Sequence, residues 1–165
     1  MAVVVMEDTY ELLRERIENL QEEIRENQNE IERAASFGDL SENAEYDSAK
    51  EKQSMLHYKL NQLKMYTNVD VFSKDDVNTD IVSFGTAVEL EDLNTGEMKH
   101  YTVMGPAEYE LGNYPNIMTY TSPLAKALIG KEEGEIAEIK KPDKHLKFEI
   151  RDIKPAWEVR ENGKG

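Results

Sequence analysis

Along residues 8–65 apolar and polar positions recur with a period that belongs to helices meeting in a narrow seam. Leu13, Ile17, Leu20, Ile24, Ile31 and Ala34 fall at steps of three and four, with Asn27 filling the one gap. Beyond Leu40 the rhythm resumes in Tyr46, Ala49, Gln53, Leu56, Leu60 and Leu63. A 3.5-residue repeat marks a coiled-coil seam, narrower than the stripe of an ordinary globular helix. The two series mirror each other about Leu40. Ile17 falls opposite Leu63, Leu20 opposite Leu60, Ile24 opposite Leu56, Asn27 opposite Gln53, Ile31 opposite Ala49 and Ala34 opposite Tyr46. One turn near that residue therefore explains both patterns, and the polar gap of one arm meets that of the other. The pattern predicts an antiparallel helical hairpin over roughly residues 8 to 75, with arms of about 30 residues reaching roughly 45 Å.

The hairpin begins where Glu7, Asp8 and Thr9 offer caps and negative charge suited to a helix N-terminus. From Tyr66 to Asp80 the period fails among Asn68, Asp70, Ser73, Asp75, Asp76, Asn78 and Thr79, which places an inter-domain linker late in this stretch. Beyond it the period changes to two. Thr86–Leu90 and Lys99–Val103 read as strands around an Asn94-Thr95-Gly96 turn, with Asn116–Tyr120 as a third after a tyrosine-rich region. A short helix follows, with Ser122 as cap, Pro123 in its first turn and Gly130 at its end. Residues 135–140 and 145–153 form a last hairpin around Pro142-Asp143. The expected fold class is α+β: a coiled-coil hairpin (1–76), a small antiparallel sheet carrying one short helix (77–158), and a disordered tail (159–165).

Composition narrows the partners. Charged residues make up 33% of the chain and the formal net charge is −14, which disfavours free nucleic acid and favours a basic protein surface or a metal ion. There is no cysteine, so disulfides, thiol catalysis and thiolate metal sites are excluded. The apolar start, residues 1–6, is too short for a signal peptide, and no apolar run approaches the ~20 residues of a membrane span. A cytoplasmic protein without membrane contact is expected. The rising arm is rich in glutamate and the falling arm carries Lys50, Lys52, Lys59 and Lys64, an arrangement that predicts cross-arm ion pairs. His57, His100 and His145 are scattered over three elements, which argues against a histidine metal site.

Chemistry concentrates at the turn. Asp39 and Glu42 stand three apart where a helix begins, the spacing of a capping box. They also stand at the end of a long arm beside Ser41, Asn43 and Glu45, with Phe37 and Leu40 offering apolar surface for docking. Two carboxylates make an incomplete site for Mg²⁺, which prefers six oxygen ligands, so a partner would have to complete it.

These residues carry a family resemblance. Gly38-Asp39-Leu40-Ser41-Glu42-Asn43-Ala44-Glu45-Tyr46 resembles the tip signature of the bacterial Gre transcript cleavage factors, and the stretch from Ser122 to Gly134 resembles the family's second signature. The resemblance spans the chain from the first helix to about Ile153. It implies a C-terminal domain of FKBP-like fold that docks at the rim of the RNA polymerase secondary channel while the hairpin enters that channel. It further implies that Asp39 and Glu42 help hold the second Mg²⁺ of the polymerase active centre and orient the attacking water, so that backtracked RNA is cleaved by two-metal hydrolysis. On this reading the protein is no enzyme itself, and free it holds no Mg²⁺ tightly. Gly38, Ser41, Asn43, Glu45 and Tyr46 support the tip, Asn43 through its geometry and Tyr46 by packing beneath it. Ser122, Pro123, Lys126, Gly130 and Lys131 are docking candidates on the polymerase.

The sequence departs from the family in one respect. Relatives often carry basic residues near the tip that guide the RNA 3′ end. Here Lys50 and Lys52 are the candidates, while Ala35, Ser36 and Phe37 offer no charge on the rising side. This favours the GreA-like type, with a small basic patch, over the GreB-like type. Two alternatives remain in view: a regulator that occupies the channel without supplying chemistry, and a structural coiled-coil protein that dimerises. An intramolecular seam predicts a monomer.

Overall fold

The computed structural model describes residues 3–38 and 43–162, with side chains to Val159. The hairpin is built from α1 (Glu7–Ala35) and α2 (Ala44–Lys64). In α1 the half-buried or buried positions include Leu13, Ile17, Leu20, Ile24, Asn27, Ile31 and Ala34, and in α2 Tyr46, Ala49, Gln53, Leu56, Leu60 and Leu63. These are the seam positions. The register about residue 40 is observed directly, since Asn27 Nδ2 donates to Gln53 Oε1 at 2.7 Å and to the Ala49 carbonyl at 2.8 Å. Cross-arm ion pairs do not form among the described residues of the hairpin. Its one ion pair there, Arg25 with Glu22, lies along α1 between two exposed side chains. Exposed pairs gain too little to hold long side chains in one geometry.

The remaining chain forms a second compact unit, and its composition differs from the expected division at residue 76. The hairpin unit is Tyr10–Asn68, and the residues on either side of it belong together. The reason is β1 (Val3–Met6), which pairs in parallel with β2 (Val69–Phe72), Val3 opposite Val69 and Met6 opposite Phe72. The apolar start of the chain is thus a strand, and its partner lies early in the aperiodic stretch after Tyr66, ahead of the expected linker.

The main sheet has five strands in the order β5-β4-β3-β7-β6. They are β3 (Thr86–Asp92), β4 (Met98–Met104), β5 (Ile117–Thr119), β6 (Ile136–Lys140) and β7 (His145–Pro155). Four of these pair antiparallel as expected, but β5 runs parallel to β4. A parallel neighbour needs a long crossover rather than a tight turn. The crossover here contains a helix that the tyrosine-rich reading missed, α3 (Pro106–Leu111), ended by Gly112 in the left-handed conformation at φ 64. Instead of one helix this unit also holds α4 (Pro123–Leu128) and α5 (Ala156–Asn162), the last running into the stretch expected to be a disordered tail.

One core lies on one face of the sheet, where Leu90, Val103, Ala125, Leu128, Ala137 and Ile150 are fully buried. Burying each large side chain here contributes about 1.5–3 kcal/mol. A smaller cluster of Met6, Met104, Tyr114 and Ala156, with Phe72, Phe84 and Trp157 packed against it, brings β1 into the unit.

Candidate functional site

Around the tip, the chain leaves α1 through a tightened turn in which Ser36 N and Oγ both donate to the Arg33 carbonyl. Gly38 then adopts φ +96, a conformation that a side chain would strain. Phe37 is exposed at 62%, as a docking residue would be. Asp39, Leu40, Ser41 and Glu42 lie outside the described residues. The chain is described again from Asn43, and here the structure differs from the capping-box expectation. Asn43 is the N-cap of α2, its Oδ1 accepting from Tyr46 N at 3.0 Å. Its Nδ2 donates across to the Ala34 carbonyl of α1 at 2.6 Å. The cap that Asp39 and Glu42 seemed placed to provide is therefore filled by another residue.

Behind the tip the two basic candidates separate. Lys52 lines a groove of about 460 Å³ with Glu30, Arg33, Glu45 and Ser48. Lys50 faces the other side, its Nζ 5.7 Å from the centre of the Tyr46 ring. Arg33 is the residue that sequence reading missed. It lies on the rising arm four residues before Phe37 and lines the same groove as Lys52.

In the second motif most residues have a structural task. Ser122 caps α4, accepting from Ala125 N at 3.2 Å, and Pro123 occupies the first turn. Gly130, at φ +92, donates to the Val82 carbonyl, while Val82 N donates to that of Lys131, both at 2.8 Å. Pro123, Lys126, Ile129 and Gly130 remain exposed and Lys131 half-buried. A nearby apolar groove is lined by Val4, Phe72, Phe84, Tyr120 and Ile129.

Where α1 starts, a buried network fixes its first turn to the sheet unit. Glu108 is fully buried and accepts from Met6 N and Gly105 N, each at 3.0 Å. Burial pushes its carboxyl above the usual carboxylate range, and hydrogen bonds from Met6, the Thr9 hydroxyl and Gly105 pull back against it. Asn113 Nδ2 donates to Thr9 Oγ1 at 3.1 Å, and the Tyr114 hydroxyl to Asp8 at 2.7 Å. Gly105 has to be glycine, because a Cβ there would lie 2.8 Å from the Tyr120 ring and 3.0 Å from the Val4 carbonyl.

The histidines are surface residues, His100 lying 3.6 Å from Glu89 and His145 3.4 Å from Glu138. Tyr114 and the half-buried Tyr101, Tyr120 and Trp157 pack in or against the two cores, whereas Tyr109 is exposed at 67%.

A two-helix hairpin followed by a five-stranded mixed sheet bearing short helices is an arrangement that matches known proteins in both halves. Residues 3–67 match the family model described as "Transcription elongation factor, N-terminal", and residues 77–155 that described as "Transcription elongation factor, GreA/GreB, C-term". The chain belongs to the GreA/GreB family of transcription elongation factors. It is 37% identical over 154 residues to the transcription elongation factor GreA of Acetivibrio thermocellus, covering 92% of this chain and 96% of that protein. With the GreA of Nitratidesulfovibrio vulgaris (strain DSM 19637 / Miyazaki F) it shares 36% identity over 90% of this chain and 92% of that one. Among solved structures, the GreA factor homolog 1 (Gfh1) of Thermus thermophilus aligns with a TM-score of 0.44 and 22% identity, over 93% of this chain and 99% of that one.

Proposed function

We propose that this protein stimulates RNA polymerase's own cleavage of backtracked RNA, presenting Asp39 and Glu42 to the polymerase active centre from the tip of the hairpin. Membership of the GreA/GreB family supports an elongation factor. The observation that favours an active tip is the cap. Because Asn43 supplies it, the cap of α2 draws on neither Asp39 nor Glu42.

Carboxylate oxygens suit Mg²⁺, and two of them leave coordination positions for the polymerase and the RNA to fill, so the ion is held jointly. Asn43 holds the turn, with Oδ1 accepting from Tyr46 N and Nδ2 donating to the Ala34 carbonyl. When bound, Mg²⁺ supplies charge stabilisation to the phosphodiester being broken. Asp39 and Glu42 hold that charge in place and orient the attacking water. Arg33 and Lys52 lie together in one groove and are the better candidates to guide the RNA 3′ end, with Lys50 on the opposite side. The sheet unit docks at the rim of the secondary channel through the exposed part of the second motif, Pro123, Lys126 and Gly130, with Lys131 beside them. Ser122 holds that surface in shape. The protein acts as a monomer and is no catalyst without polymerase.

The test is transcript cleavage in a stalled, backtracked elongation complex with Mg²⁺. Asp39→Asn combined with Glu42→Gln should lower stimulated cleavage by about 10²-fold or more, with helicity and polymerase binding unchanged. Cleavage retained in the double variant overturns the proposal. Wild type that binds polymerase yet leaves the transcript intact would instead make the protein a regulator that occupies the channel.

A further inference from the structure

Asn43 uses one planar amide for two tasks. Oδ1 accepts from Tyr46 N at the start of α2, and Nδ2 donates to the Ala34 carbonyl in the last turn of α1, nine residues earlier. The Ala34 carbonyl also receives Phe37 N at 3.2 Å, so its two lone pairs tie the tightened end of α1 to the start of α2. A cap alone would need only the acceptor. Helix caps are ordinarily local, serving one helix end. Here the donor crosses between the arms, so a single side chain ties the last turn of α1 to the first turn of α2.

We infer that Asn43 is a positioning residue whose amide clamps the two arms together at the tip, and that this clamp, separately from the cap, sets how well the tip acids work. The inference rests on the function proposed above. Side-chain chemistry separates the two tasks. Aspartate caps helices as well as asparagine does but only accepts, and its charge would face the Ala34 carbonyl. Serine also caps, but its side chain is one atom shorter, so its O–H falls short of the Ala34 carbonyl while Oγ accepts from Tyr46 N. Asn43→Asp and Asn43→Ser therefore both keep the cap and lose the clamp, one with added charge and one without.

Two measurements on the full chain decide the matter. In the free protein, NMR should show the Asn43 side-chain NH₂ protected from solvent exchange and close in space to Ala34. A freely exchanging amide with no cross-arm contact overturns the clamp whatever the protein does to polymerase. In the backtracked complex, cleavage is then titrated with Mg²⁺. Groups that orient metal ligands typically change metal affinity 10–100-fold, so both variants should need about ten-fold more Mg²⁺ for half-maximal cleavage and recover at saturation, with unchanged helicity. A lower maximum at an unchanged Mg²⁺ midpoint in both variants means a merely structural residue and overturns the inference. If wild type fails to stimulate cleavage at all, the proposed function falls, and the NMR result alone decides the clamp.

Discussion

A carboxyl group buried among backbone amides, as Glu108 is between Met6 and Gly105, is held by donors while losing its water. Burial is the larger influence and raises its pKa above the ordinary 4.5. The folded protein therefore holds this proton more tightly than the unfolded chain does. By linkage, the contribution of Glu108 to stability is fully present below the unfolded value and is lost as pH rises through the folded-state value. Glu108→Gln removes the titration but turns an NH₂ group toward one of two N–H donors, a roughly constant cost of about 1–3 kcal/mol. Urea unfolding at a series of pH values should show the stability advantage of wild type over the variant shrinking as pH rises through that window. A pH-independent difference would contradict the assignment. The carboxyl keeps β1 and the start of α1 fixed to α3 at neutral pH even so, because three donors converge on it.

Between elements, the seam carries a comparable compromise. Asn27 is 1% exposed, its NH₂ serves Gln53 and Ala49, and its Oδ1 has no partner among the described residues. An unsatisfied buried acceptor costs about 1–3 kcal/mol, the stability that coiled coils commonly give up at a polar layer to specify register. Replacing both Asn27 and Gln53 with Leu should therefore stabilise the hairpin by on the order of 1–3 kcal/mol, read as a higher urea midpoint by far-UV circular dichroism. Asn27→Leu alone should do worse than the double change, since it strands the Gln53 amide in the seam. This layer, the seam and strands β3, β4, β6 and β7 were legible because each is a local period that one face must bury. The β1–β2 pair was not, for it joins two four-residue strands that the whole hairpin separates in sequence, and neither shows a period by itself. Helix α3 did leave signals in Gly105, Pro106, Glu108 and Gly112, the cap, first-turn proline, N3 glutamate and C-terminal glycine of a short helix, but they were hidden among tyrosines. At the tip, Asp39-x-x-Glu42 fits a capping box as well as it fits a metal site. Only the bond from Tyr46 N to Asn43 shows which residue the helix uses.

For the whole molecule, charge determines how RNA can be met. The chain carries 34 acidic residues against 20 basic ones. The groove near the tip that joins Arg33 and Lys52 also contains two glutamates, Glu30 and Glu45, so the two basic residues stand in a locally balanced surface rather than a basic patch. Sequence-independent RNA affinity comes from releasing counterions as basic groups neutralise phosphates, and a balanced groove on a net −14 protein has little of it to offer. On the proposed function the polymerase complex already delivers the RNA, and the groove would have only to orient it. The free protein should consequently leave the fluorescence anisotropy of a short labelled RNA unchanged up to concentrations of about 10⁻⁴ M at physiological salt, the weak limit of ordinary non-specific binding. Arg33→Ala combined with Lys52→Ala should nevertheless slow stimulated cleavage in the backtracked complex, without altering polymerase binding. Micromolar RNA affinity in the free protein, falling with added salt, would mean that the tip recruits RNA itself and that the two glutamates do not neutralise their groove.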